Sequence, residues 1–182
     1  MLAVFMPALP GAFAQSGETD VGEMSVSGGF LTGAGTQGSL TGGSGIALSR
    51  YGMLLFDTTF LPLGHNSIQF WPAPSTVKTS YAFDFAMDVH VRIPVKEHWE
   101  PYAILGTGLI WNVVHQQAVD PRGIAVTSRW DQFNGAFHTG GGLRYFLGSN
   151  WGVRPEVKVI ISKQTYTCVS FGIFYQVPPG WP

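Results

Sequence analysis

From Tyr81 to Val95 the chain alternates. Odd positions carry Tyr81, Phe83, Phe85, Met87, Val89, Val91, Ile93 and Val95; even positions carry Ala82, Asp84, Ala86, Asp88, His90, Arg92 and Pro94. Successive side chains of a strand point to opposite faces, so one face of this segment is apolar and the other holds four ionisable groups. A helix would scatter the large apolar residues around its cylinder. The segment reads as a strand.

The same period recurs. In Trp151–Ile161 the apolar set Trp151, Val153, Val157, Val159 and Ile161 opposes Arg154, Glu156 and Lys158. In Phe137–Leu147, Phe137, Leu143, Tyr145 and Leu147 oppose His138, Gly140, Gly142 and Arg144. Thr167–Val177 presents Val169, Phe171, Ile173, Tyr175 and Val177 on one face. Residues 101–116 follow the pattern less cleanly. Residues 53–63 are the poorest case, because Met53, Leu55 and Leu61 share a face with Asp57. Two glycine-rich stretches, about 23–31 and 44–50, bring the expected count to eight strands.

The connections fall into two classes. Arg50–Gly52, Lys96–Glu100 and Gly148–Asn150 read as short turns; Thr32–Gly43, Gly64–Ser80 and Gln117–Gln132 read as long loops rich in Gly, Pro, Ser, Asn or Gln. Short turns collect on one side with both termini and long loops on the other, with the tight Ser162–Thr165 connection as the exception. Short periplasmic turns with longer external loops are the asymmetry of outer-membrane barrels.

Composition then selects among β-folds. Charged residues are 12% of the 182, aromatics 14%, and glycine fills 24 positions. Soluble domains carry about twice that charge. The formal charge of −1 gives no general attraction to nucleic acid. The single cysteine, Cys168, excludes an internal disulfide. Residues 1–14, MLAVFMPALPGAFA, form an apolar run closing on Ala12-Phe13-Ala14, the signature of a signal peptide cleaved before Gln15. It lacks a basic leading region, which reads as a truncated or misplaced start. Residues 15–182 are then the barrel domain. After residue 14 no apolar run approaches the ~20 residues of a transmembrane helix, so a membrane would be crossed by strands.

The glycines decide which face is inside. Gly106, Gly108, Gly140, Gly142 and Gly172 share the charged face. On a solvated face glycine only weakens a strand; in a narrow lumen it makes room for long charged side chains. Eight strands enclose space for side chains alone, so a lipocalin-like soluble barrel, with its Phe, Met, Val, Ile and Trp turned inward, would be overfilled. The expected inward charges are Asp57, Asp84, Asp88 and Glu156 against Arg92, Arg144, Arg154 and Lys158, four of each sign, with His90 and His138 beside them. Tyr81, Trp111, Phe133 and Phe137 are expected at the external interface, and Tyr51, Tyr145, Trp151 and Tyr175 at the periplasmic one.

PYAILGTGL, NGAFHTGGGLRYFLGSNWGVRPEVKV and the closing FGIFYQV resemble the small outer-membrane barrels of the OmpA/OmpX-like type over about residues 22–177. The resemblance implies an all-β, eight-stranded antiparallel up-and-down transmembrane barrel in the bacterial outer membrane, with both termini in the periplasm. It implies no cofactor, a monomer among outer-membrane lipids, and a structural or surface-interaction role without catalysis. It also implies that Ser170, Gly172, Tyr175 and Val177 form the signal read by the barrel-assembly machinery. The chain departs from that pattern by continuing through PPGWP, and it carries no peptidoglycan-binding domain.

Other motifs carry less. Gly33–Gly38 spells GxGxxG, but SLTGGSG follows it and cannot form the helix a dinucleotide site requires. His65-Asn66-Ser67 matches the His-x-Ser pair of a lipid A acylhydrolase, but it falls in a Pro-rich stretch without an orienting carboxylate. The five histidines show no metal-ligand spacing. A lipid-modifying enzyme, then a narrow pore, then a soluble lipocalin-like binding barrel are the competing functions.

Overall fold

The computed structural model describes residues 22–33, 36–68, 76–93, 95, 98–119 and 125–177. The signal-peptide segment, its cleavage position and the terminal PPGWP lie outside them. Eight strands follow in order: β1 (Gly22–Thr32), β2 (Gln37–Ser49), β3 (Gly52–Ile68), β4 (Thr76–Arg92), β5 (Trp99–Val119), β6 (Ala125–Phe146), β7 (Trp151–Ile161) and β8 (Thr165–Val177). Each pairs antiparallel with the next, and β8 returns to β1, closing the barrel. Closure removes every edge within the ring, so the backbone is satisfied without water.

The three expected long loops are mostly strand, and that expectation is corrected. Gln37–Gly43 belongs to β2; β3 and β4 continue to Ile68 and from Thr76; β5 and β6 continue to Val119 and from Ala125. A hairpin ladder is held by main-chain hydrogen bonds and continues through polar residues once the register is set. GxGxxG therefore spans the β1–β2 connection and the start of β2, and Gly33 takes a φ of 118° that other residues rarely adopt. Likewise the backbone of His65–Ser67 lies in β3 and not in a loop; their side chains lie outside the described residues.

Prolines fall where a ladder tolerates a missing donor. Pro62 sits at a register shift in β3, beyond the last β2 pair, Leu40↔Phe60. Pro155 coincides with a gap in the β6–β7 ladder between the pairs Gly142↔Glu156 and Tyr145↔Val153.

The faces are inverted relative to a soluble protein. Along β4, Ala82, Asp84, Ala86, Asp88, His90 and Arg92 are buried, while Phe85 (44% exposed), Met87, Val89 (37%) and Val91 face outward. On β7, Arg154, Glu156, Lys158 and Ile160 are inside and Val157 is exposed; Phe83 and Val159 also point outward and are half-buried. Met24, Val26, Phe30, Leu40, Phe56, Leu109, Val169, Phe171 and Ile173 extend the apolar surface around the ring. So continuous an apolar exterior is incompatible with water and is what a bilayer core solvates. Aromatic rings mark its margins. Phe60, Phe83, Trp111 and Phe133 run side by side across β3–β6 at centroid separations of 5.4, 5.9 and 6.1 Å. At the opposite end Trp99 meets Tyr145 at 4.7 Å, and Trp151 is the cross-strand partner of Tyr175.

Candidate functional site

The lumen is layered. The end bearing the termini and short turns holds glutamates with arginines. Arg144 Nη2 is 2.8 Å from Glu23 Oε2, and its Nη1 is 2.9 Å from Glu100 Oε1. Arg154 reaches Glu23 (3.2 Å) and its own near neighbour Glu156 (3.5 Å). Arg92 lies 3.6 Å from Glu100 and donates to the Ser49 carbonyl at 2.7 Å. Tyr102 donates its hydroxyl proton to Glu156 at 2.7 Å. The Arg144 guanidinium is also 5.6 Å from the Tyr102 and Phe174 ring centroids, and Phe174 meets Phe146 edge-on at 5.1 Å. Planar guanidinium forks serve several carboxylates at once, which is why arginine suits this layer.

Above it lies an aspartate layer. Lys158 Nζ is 3.1 Å from Asp88 Oδ2 and 3.4 Å from Asp57 Oδ2. His138 stands between Asp88 (Nδ1–Oδ1 2.8 Å) and Asp84 (Nε2–Oδ2 3.3 Å). The hairpin end is closed by an apolar cluster of Leu31, Leu61, Ala82, Ile110, Ile160, Tyr166 and Cys168. Beneath it, Thr41 and Thr59 share a hydrogen bond at 2.9 Å, and Ser39 meets the Cys168 thiol at 3.3 Å.

All ten expected lumen residues are buried, but the expected balance of four acids and four bases is corrected. Buried Glu23 and Glu100 join the acids, so among the described residues six carboxylates face four arginines and lysines, not four of each. Glu23 shares the parity of Ser25 and Ser27, and Glu100 that of Tyr102, which is the signal that would have placed them. His90 is buried yet its ring nitrogens meet no hydrogen-bond partner; it stacks on Tyr102 at 4.6 Å and 9°. Met53, Leu55 and Leu61, awkward in the sequence, are fully buried lumen residues. Met53 Sδ lies 3.1 Å from Arg144 Nη2, and Leu61 belongs to the apolar cap.

The inward glycines do make room. A Cβ on Gly142 would overlap the Tyr102 hydroxyl, and one on Gly172 would stand 2.6 Å from Ser27 Cβ. Ser170 and Gly172 point inward on β8, while Tyr175 points outward and Val177 ends the strand. Among the described residues no group of His, Cys, Asp and Glu is arranged to hold a metal ion.

No family model matches the chain, and no curated protein matches it. Solved structures do. A major outer membrane protein of Thermus thermophilus aligns with 86% of this chain and all of its own at a TM-score of 0.57 and 10% identity. Ail, the attachment invasion locus protein of Yersinia pestis, crystallised with the heparin analogue sucrose octasulfate, aligns with 86% of this chain and 99% of its own (TM-score 0.54, 12% identity). Neisserial surface protein A aligns with 86% and 96% (TM-score 0.53, 12% identity). At such identities the likeness concerns the fold, and a fold does not carry a function with it. The chain has the fold of the small eight-stranded transmembrane barrels of bacterial outer membranes.

Proposed function

We propose that the protein is a monomeric outer-membrane barrel, closed to ions, that makes surface contacts through a sheet projecting from one end and catalyses no reaction. The carrying observation is the inequality of the strands. A transmembrane strand needs about 9–11 residues. β1 and β7 have 11, whereas β5 and β6 have 21 and 22. The last β6–β7 pair is Phe137↔Ile161, while β5 and β6 stay paired to Val119↔Ala125. Residues 125–136 therefore pair on one side only, giving roughly 40 Å of open strand at ~3.3 Å per residue. β3 passes its last β2 partner at Phe60 in the same way.

This β3–β6 sheet would stand outside the cell, with the short turns and termini in the periplasm after export and removal of residues 1–14. Open strand edges and exposed Val126 and Trp130 suit contact with another macromolecule or matrix. The apolar cap and the paired charges leave little room for conduction. On β8, Ser170, Gly172, Tyr175 and Val177 would serve the assembly machinery.

The test compares bacteria displaying the full chain with bacteria displaying a variant whose β3–β4 and β5–β6 hairpins are cut back to the level of Phe60 and Phe137. Binding to immobilised polysaccharide and protein matrices should fall in the shortened variant at equal membrane content. Equal binding by the two would overturn the reading of the projecting sheet, and a steady open conductance in planar bilayers would overturn the closed lumen.

A further inference from the structure

The two charged layers do not balance alike. In the lower layer three glutamates (Glu23, Glu100, Glu156) face three arginines (Arg92, Arg144, Arg154). The upper layer sets Asp57, Asp84 and Asp88 against Lys158 alone among the permanently charged bases. Lys158 serves Asp57 and Asp88. Asp84, fully buried, accepts no hydrogen bond, and among the described residues its one ion-pair partner is His138.

His138 touches a carboxylate with each ring nitrogen, 2.8 Å at Nδ1 and 3.3 Å at Nε2. A neutral imidazole has one N–H and one lone pair. Whichever tautomer forms, a lone pair would then face an aspartate oxygen with no exposed surface to admit water. Only the imidazolium carries a proton on both nitrogens, with Nδ1 hydrogen-bonded to Asp88 and Nε2 within ion-pair distance of Asp84. Its charged surroundings from other strands are Asp84 and Asp88 of β4 and Lys158 of β7 across Asp88; the β5 residues beside the contact are Gly106 and Gly108.

The chain is built for this contact. His138 is on β6 and the aspartates are on β4, so the ring reaches across the intervening β5. There β5 presents Gly106 and Gly108. A Cβ at Gly108 would lie 2.6 Å from His138 Cε1 and 3.0 Å from Asp84 Oδ1, and one at Gly106 would overlap Asp88 Oδ1.

We propose that His138 is a proton-binding site of the lumen: a doubly protonated imidazolium that clamps Asp84 and Asp88 across β5 and supplies the fifth internal cation. This rests on the reading of a closed, charge-paired lumen. The test is nitrogen NMR of histidine-labelled full-length protein folded in lipid nanodiscs at neutral pH, with the His138 signal assigned by His138→Gln. Both His138 ring nitrogens should carry protons, with His90, which has no carboxylate partner among the described residues, as the comparison. A lone-pair nitrogen at His138 overturns the proposal. As a second readout, His138→Gln should lower the urea midpoint, and adding Asp84→Asn should recover most of the loss, because the stranded carboxylate is then gone. Additive losses would also overturn it. Bilayer conductance separates the two readings: a conducting wild type fails the closed lumen, while the nitrogen spectrum decides the clamp in either case.

Discussion

The glutamate–arginine layer and the aspartate layer are enclosed by the same eight strands, yet they solve the problem of buried charge differently. In the lower layer each guanidinium offers five N–H donors in a rigid fork. Arg144 and Arg154 share Glu23, and Arg144 and Arg92 share Glu100, so the network is cross-linked and its charges match. In the upper layer the donors are one ammonium and one imidazole, and the acids outnumber the bases. The lower layer should therefore be the harder to perturb gently and the costlier to break outright. The upper layer depends on glycine geometry and on the protonation of a single ring.

The largest expected effect comes from the hub of the lower layer. Arg144→Met removes one of the two arginine partners of both Glu23 and Glu100 in a fully buried position, leaving three glutamates to two arginines. Stranding a buried charge costs about 3–5 kcal/mol, which urea unfolding in lipid vesicles would read directly. A loss below about 1 kcal/mol would mean that the layer is hydrated and loosely coupled.

The outer face at the level of these layers provides the next test. Val89 projects outward between inward Asp88 and His90. Arginine near the bilayer midplane on the lipid face costs roughly 2–4 kcal/mol, and less toward the interfaces. Val89→Arg should therefore destabilise the inserted barrel by about 2–4 kcal/mol in the same titration; an unchanged midpoint would place Val89 in water.

A glycine pair sharpens the contrast on a smaller scale. Gly108→Ala drives a methyl against His138 and Asp84, and forcing volume into a packed interior costs about 1–3 kcal/mol. Gly42, by contrast, has nothing within 4 Å of a built Cβ. Gly42→Ala should change stability by less than about 0.5 kcal/mol. Equal effects at the two positions would show that the lumen glycines are not spacers.

Much of this was legible in the chain because period-two alternation is a local property. Tyr81–Val95 and Trp151–Ile161 announce their strands, and the shared parity of Gly106, Gly108, Gly140 and Gly142 with the charges identifies the inner face. Strand ends were harder. Polar residues such as Thr76–Ser80 pair as well as apolar ones once a hairpin is registered, so their composition reads as loop while their backbone is ladder. Glu100, closing the stretch Lys96–Glu100, reads as turn for the same reason, although it lies in β5. The apolar cap was hidden because Leu61, Ile110 and Ile160 break the rule that the inner face is polar. That rule holds in the middle of this lumen and fails at its hairpin end. Nor can pairing across the lumen be read from a sequence: His138 reaches β4 only because β5 happens to lie between them with glycines.

The central claim is that the apolar face of these strands meets lipid while the charges are sealed inside. Spin labels at single cysteines test it most directly, with Cys168→Ser as background and Phe85→Cys, Met87→Cys and Val157→Cys as sites, in lipid vesicles. All three labels should collide readily with oxygen, which partitions into lipid, and scarcely with a water-soluble nickel chelate. Ready collision with the chelate at all three would place this face in water and contradict the account.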